Sequence, residues 1–133
     1  MGFIVNPIAG MGGRVGLKGT DDVIDKAIQM GAKPVAPSRA IEFLRKLKTL
    51  ELESTITMIT CPGTMGEDET KTATVIATIL PMSLKPKTTA EDTKLAVKQM
   101  IEREVDLIVF VGGDGTAKDI LDAMQNEKMV PVL

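Results

Sequence analysis

An α/β domain built on an open, mostly parallel sheet with helices on both faces, three layers in all, is what this sequence of 133 residues predicts. Three observations lead there. Leu107-Ile108-Val109-Phe110-Val111 is an unbroken apolar run, as expected of a parallel strand covered on both sides. Short β-branched runs alternate with stretches of helical periodicity, the pattern of strand-helix-strand units with right-handed crossovers. Glycine-rich turns follow the strands, on the edge where such sheets bind ligands.

Taken in order, Phe3-Ile4-Val5 reads as a first strand ended by Asn6-Pro7. The segment Ala9 to Gly19 holds five glycines and reads as a loop able to bring its backbone close to a ligand. Thr20-Asp21-Asp22 opens a helix carrying Val23, Ile24, Ala27 and Ile28, which Gly31 and Pro34 stop. Ser38 is placed to cap a second helix, with Ala40, Ile41, Leu44 and Leu47 inward and Arg45, Lys46 and Lys48 in water. A strand is expected over Thr55 to Cys61, closed by Pro62-Gly63, and a glycine turn, Gly63-Thr64-Met65-Gly66, comes next. Glu67 to Lys71 suits a short helix, and Thr74 to Leu80 a strand before Pro81. Thr88 and Glu91 stand at capping-box spacing ahead of a helix whose apolar face is Ala96, Val97, Met100 and Ile101. After the Leu107 to Val111 strand and Gly112-Gly113-Asp114-Gly115-Thr116, helical spacing returns at Ala117, Ile120, Leu121 and Met124. Val130 to Leu133 opens one more strand, and its abrupt apolar end suggests a chain cut from something longer.

Composition narrows the function. With 44% hydrophobic and 26% charged residues the chain is ordinary for one globular domain over residues 1–133. Three Phe and no Trp or Tyr leave no aromatic platform for stacking nucleic-acid bases, and a net charge of −2 gives no general pull on nucleic acid or membrane. No membrane-length apolar stretch and no signal peptide are evident. The absence of His excludes Ser-His-Asp and Cys-His nucleophiles and every His-containing metal site, so acid-base work falls to Asp, Glu or Lys. The single Cys61 is read as packing; it fits a reducing cytoplasm, and the hard oxygen ligands that remain suit Mg²⁺ rather than Zn²⁺.

Gly112 to Thr116 carries the chemistry. A strand there delivers two glycines, an acid, a third glycine and a hydroxyl to a helix start, where bare N–H groups and the helix dipole favour phosphate. Asp114 would repel phosphate unless it holds Mg²⁺, orients a substrate hydroxyl or takes its proton. The same five residues also suit a plain βα turn with Asp114 as a cap, and spacing alone does not separate the two readings. Neither the Walker pattern nor G-x-G-x-x-G is present, since Val15 stands where the last glycine of the latter belongs. Arg14 and Lys18 are weaker phosphate candidates, and Arg45 to Lys48 and Lys85-Pro86-Lys87 read as solvated surface. Asp119 and Asp122 are expected on an outer helix face, and Met30, Met58, Met100 and Met124 in the core.

Gly112-Gly113-Asp114-Gly115-Thr116 together with Asn6-Pro7-Ile8-Ala9-Gly10-Met11-Gly12-Gly13 resembles the NAD kinase superfamily, to which diacylglycerol and sphingosine kinases also belong. Cys61-Pro62-Gly63-Thr64-Met65-Gly66 and Thr89-Ala90-Glu91-Asp92-Thr93 are similar to its archaeal and bacterial branch of ATP-NAD kinases and acetoin-catabolism-associated proteins. The resemblance implies the amino-terminal domain of an NAD kinase/phosphofructokinase-like fold, its cleft completed by a carboxyl-terminal, mainly β domain absent from this chain. It implies transfer of the ATP γ-phosphate to the ribose 2′-hydroxyl of NAD with Mg²⁺, in a cytoplasmic homo-oligomer whose partners are small nucleotides. Asp114 would engage the substrate hydroxyl, Gly112, Gly113, Gly115 and Thr116 would line the phosphate site, and Asn6, Gly10, Gly12 and Gly13 would face the same cleft. The family's downstream Asn-Glu pair has no counterpart here. Kinases of a lipid or other small alcohol, or a nucleotide-sensing module without catalysis, keep the same fold as alternatives.

Overall fold

The computed structural model describes residues 1–10, 34–125 and 129–133. Among these, four parallel strands form one sheet: β1 (Gly2–Val5), β2 (Ile59–Thr60), β3 (Thr78–Ile79) and β4 (Ile108–Val111). Their spatial order is β3-β2-β1-β4. Four helices accompany them: α1 (Ala36–Thr49), α2 (Glu67–Ala73), α3 (Ala90–Glu102) and α4 (Asp114–Met124). Val132 bridges Ile108 in parallel and continues the sheet beyond β4, so the expected final strand begins where Val130 to Leu133 were read.

Alternation along the central strands builds the three layers. Ile4 of β1 and Ile108 of β4 face one core, with Ala96, Val97 and Met100 of α3 and Ile120 and Met124 of α4. Phe3 and Val5 of β1 and Val109 of β4 face the other, with Ala40 and Leu44 of α1 and Ala73 of α2. Phe3 stacks on Phe43 at 5.9 Å between ring centroids, the rings 13° from coplanar. Each fully buried side chain of this kind contributes about 1.5–3 kcal/mol, so two such faces suffice to hold a small sheet. Met58, Met100 and Met124 are core residues, as is Cys61. Burial, with a smaller contribution from Asp92, pushes the Cys61 thiol up to about 12, so it packs and does not react.

The structure corrects several local expectations. α1 starts at Ala36, with Pro37 in the first turn, where a missing N–H costs nothing; the Ser38 hydroxyl donates to the Val35 carbonyl at 2.9 Å and is not the cap. The strand expected from Thr55 shrinks to Ile59–Thr60, because Leu52–Ser54 forms a 3₁₀ turn that Thr55 closes by donating to the Leu52 carbonyl. The strand expected from Thr74 shrinks to Thr78–Ile79, since Thr74 ends α2 in a left-handed conformation at φ 57°. The capping pair of α3 is Thr89 and Asp92, one residue on from Thr88 and Glu91. On α4 the buried face is Thr116, Ile120, Ala123 and Met124, whereas Ala117 and Leu121 are exposed. The helix expected over Thr20 to Ile28, with Met30, Arg14 and Lys18, lies outside the described residues.

Candidate functional site

Going from β1 through β2 to β3 the chain steps outward in one direction, and β4 then adds on the other side of β1. The sheet order therefore reverses between β1 and β4, and in open α/β sheets ligands bind beyond the carboxyl ends of the strands at such a point. Two of the glycine-bearing turns flank it. Asn6 follows β1, Gly112 follows β4, and the Asn6 amide donates to the Val111 carbonyl at 2.9 Å, closing the ladder at the mouth of the crevice.

Asn6 is held at both ends. Its Oδ1 accepts from the Ile8 amide at 3.2 Å, and its Nδ2 donates to Thr116 Oγ1 at 2.9 Å. That bond joins the end of β1 to the first turn of α4, and Thr116 lies on the buried face of α4, where Ala117 was expected. With one lone pair taken by Asn6, the Thr116 hydroxyl keeps its proton for another acceptor.

The glycines of the pentapeptide serve different ends. A Cβ at Gly112 would stand 2.5 Å from Thr116 Oγ1, so this glycine makes room for the inward threonine. Gly113 has φ −110° and ψ −171°, extended backbone open to any residue, and a Cβ there would meet nothing within 4 Å. Among the described residues no atom asks for glycine at 113. Asp114 is the first helical residue and exposed, and the first-turn amides of Asp114, Gly115 and Thr116 lack intrahelical acceptors and have no side-chain cap.

A cavity of about 570 Å³ opens beside this turn. Asn6, Pro7 and Ile8 form one wall; the start of α3 and the residues before it, Lys87 to Ala90 with Thr93 and Lys94, form the second. The third comes from α4: Gly115, Thr116, Lys118, Asp119 and Asp122. Gly112, Gly113 and Asp114 are not in its lining and lie exposed immediately before it. Thus Asn6, Gly115 and Thr116 are brought together around one space, with Gly112, Gly113 and Asp114 at the adjoining strand end. Gly10, at φ 84°, sits in the turn after β1 against Val35; Gly12 and Gly13 lie outside the described residues.

Asp119 and Asp122 are half-buried on the cavity wall, not on an outer face, and Lys87 borders the cavity although its cluster reads as plain surface. Thr93 and Lys94 were missed as site residues. Their signal was a threonine on the apolar face of α3, one turn ahead of Ala96 and Val97, where a hydroxyl needs a reason to be buried. Among the described residues there is no group of three or more acids, cysteines or histidines placed to hold a metal, and no helix is long and apolar enough to cross a membrane.

The third glycine turn is different in kind. Gly63 has φ 52°, and Gly66, at φ 143°, could take no Cβ without collision with the Thr60 hydroxyl, itself bound to the Phe3 carbonyl at 2.9 Å. The Gly63 amide donates to Glu67 Oε2 at 2.8 Å, and Glu67 Oε1 pairs with Lys71 at 2.6 Å. These bonds hold the Glu67 carboxyl below the usual carboxylate range.

No curated protein and no solved structure matches the chain. The family model described as the ATP-NAD kinase N-terminal domain matches residues 1–133, and with the parallel sheet and its reversal point already in view, the chain belongs to that family.

Proposed function

We propose that the chain forms the phosphate-binding domain of an ATP-dependent NAD kinase, which moves the γ-phosphoryl group of ATP to the 2′-hydroxyl of the adenosine ribose of NAD and yields NADP. Family membership supports a kinase of the NAD kinase type. The observation that carries the finer reading is the uncapped turn at the reversal point, where Gly113 leaves open space and the amides of Asp114, Gly115 and Thr116 await an acceptor.

In this reading the acceptor hydroxyl comes to Asp114 on the exposed side of the turn. Its oxygen attacks the γ-phosphorus while its proton passes to the Asp114 carboxylate. The bond from phosphorus to the bridging oxygen breaks, and the electron pair leaves on ADP. The amides of Gly115 and Thr116 and the Thr116 hydroxyl stabilise charge on the phosphoryl oxygens. Mg²⁺ bound with the donor would neutralise phosphate charge. The two carboxylates of Asp119 and Asp122 on the cavity wall fit a cation that keeps several waters and takes its other oxygens from phosphate. In this reading a carboxyl-terminal, mainly β domain completes the cleft and supplies the rest of the acceptor site of a cytoplasmic enzyme.

Asp114→Asn in the full-length protein tests this. Removal of a positioned base lowers NADP formation by about 10²–10⁴-fold. Asp114 is exposed, so the melting temperature stays within error. Near-normal turnover would reject the role.

A further inference from the structure

Beyond the glycine turn, the cavity holds side chains that the reaction scheme has not used. Thr93 is 5% exposed as a whole residue and lines the cavity, and its hydroxyl, hydrogen-bonded to none of the described residues, keeps access to that space. A hydroxyl of an otherwise buried residue that opens onto a cavity is placed to bond water or a ligand there. Thr116, 3% exposed, faces the same space from α4 with its proton unspent.

Three ammonium groups surround these hydroxyls. Lys87 and Lys118 are exposed on the rim and belong to no ion pair among the described residues. Lys94 is held only loosely, 3.5 Å from a Glu91 carboxylate whose side chain is 82% exposed, a contact weak enough to be exchanged for a better anion. Asp119 and Asp122 set two carboxylates against the three lysines. That mixture suits an extended phosphate chain carried with a divalent cation better than a lone anion, since the cation meets the carboxylates and the free phosphate oxygens meet the lysines. The amino end of α3 is not the attraction, because Asp92 already accepts from the Thr89 amide at 2.8 Å and from its hydroxyl at 2.9 Å.

We infer that Thr93, Lys94 and Lys118, with Lys87 at the rim, form a binding subsite for the phosphate chain of the phosphoryl donor, on the cavity side of the glycine turn and opposite the face where Asp114 meets the acceptor. The donor is gripped by hydroxyl and ammonium groups from α3 and α4 together, so the two helices act as one jaw. This rests on the kinase reading for the word donor, and on the cavity alone for binding of a phosphate chain.

Calorimetry on the full-length protein, with inorganic tripolyphosphate and Mg²⁺ as the probe, tests it without turnover. Lys94→Gln and Lys118→Gln should each weaken binding roughly tenfold, the loss of one hydrogen bond to a charged group. Lys98→Gln, exposed on α3 and outside the cavity, should leave it unchanged. Thr93→Val should weaken binding while Thr93→Ser retains it, which a packing role for Thr93 would not produce. Tripolyphosphate affinity equal to the parent's in both lysine variants would overturn the subsite. Should NADP fail to form while the lysines still govern tripolyphosphate binding, the kinase reading falls and the subsite stands. NADP formation with an ATP KM unmoved by either lysine variant would sink the subsite and leave the kinase.

Discussion

Two glycine turns end the strands on either side of β1, and they are built in opposite ways. The turn after β2 is closed upon itself: Gly63 and Gly66 adopt positive φ, Thr60 presses against Gly66, and Glu67 takes the Gly63 amide. The turn after β4 is open among the described residues, for Gly113 has ordinary extended backbone with nothing where a Cβ would go, and none of their side chains caps the helix that follows. Glycine in the first turn answers to the fold. In the second, past Gly112, the described residues give no reason for it, which supports the proposal that a bound group takes that space. Two motifs that look alike in sequence thus separate by whether the protein itself satisfies them.

Substitutions that should break this contrast differ most in stability. Gly66→Ala meets both a backbone conformation reserved for glycine and the Thr60 hydroxyl, and should cost about 3 kcal/mol or more in urea unfolding, the sum of strain and overpacking. Gly112→Ala should cost about 1–3 kcal/mol, because the added methyl displaces Thr116. The same shift disturbs the Asn6 bond, so this variant should lose phosphate binding as well, read by calorimetry on the folded fraction.

Glu69 sharpens the comparison from the closed side. It sits in the first turn of α2, 5% exposed, with Oε2 unpartnered, and desolvation raises its pKa above the usual carboxylate value. The folded state therefore holds the proton more tightly than the unfolded chain. This contribution is fully present below the unfolded pKa and is lost as pH rises through the folded one. Glu69→Gln, neutral throughout, should melt with the parent in acid and above it at neutral pH. Identical melting at both pH values would show that the closed turn places no strain on this carboxyl.

What could be read from the sequence was whatever repeats locally. The Leu107 to Val111 strand and the apolar face of α3 stand where the pattern put them, because Ile108 and Val109 are covered on opposite faces of the sheet and α3 buries one continuous face. β2 and β3 came out short since Thr55 closes a 3₁₀ turn and Thr74 ends α2, both in place of the expected strand starts. The glycine-aspartate turn was legible as a motif, but its neighbours were not. Thr93, Lys94 and Lys118 meet only because α3 and α4 lie side by side on one face of the sheet, and nothing along the chain announces that meeting. Asp119 and Asp122 stand on the cavity wall and not on an outer face, because α4 buries Thr116, Ile120, Ala123 and Met124 and so turns both acids toward α3.

The most direct measurement is Gly113→Ala in the full-length protein, scored for thermal unfolding and for NADP formation side by side. An open turn shaped for a ligand predicts a loss of only about 0.5–1 kcal/mol, that of alanine for glycine at a helix N-cap, together with a collapse of turnover. Parental turnover in a protein that melts normally would contradict the account, since the empty space at Gly113 would then serve no bound group.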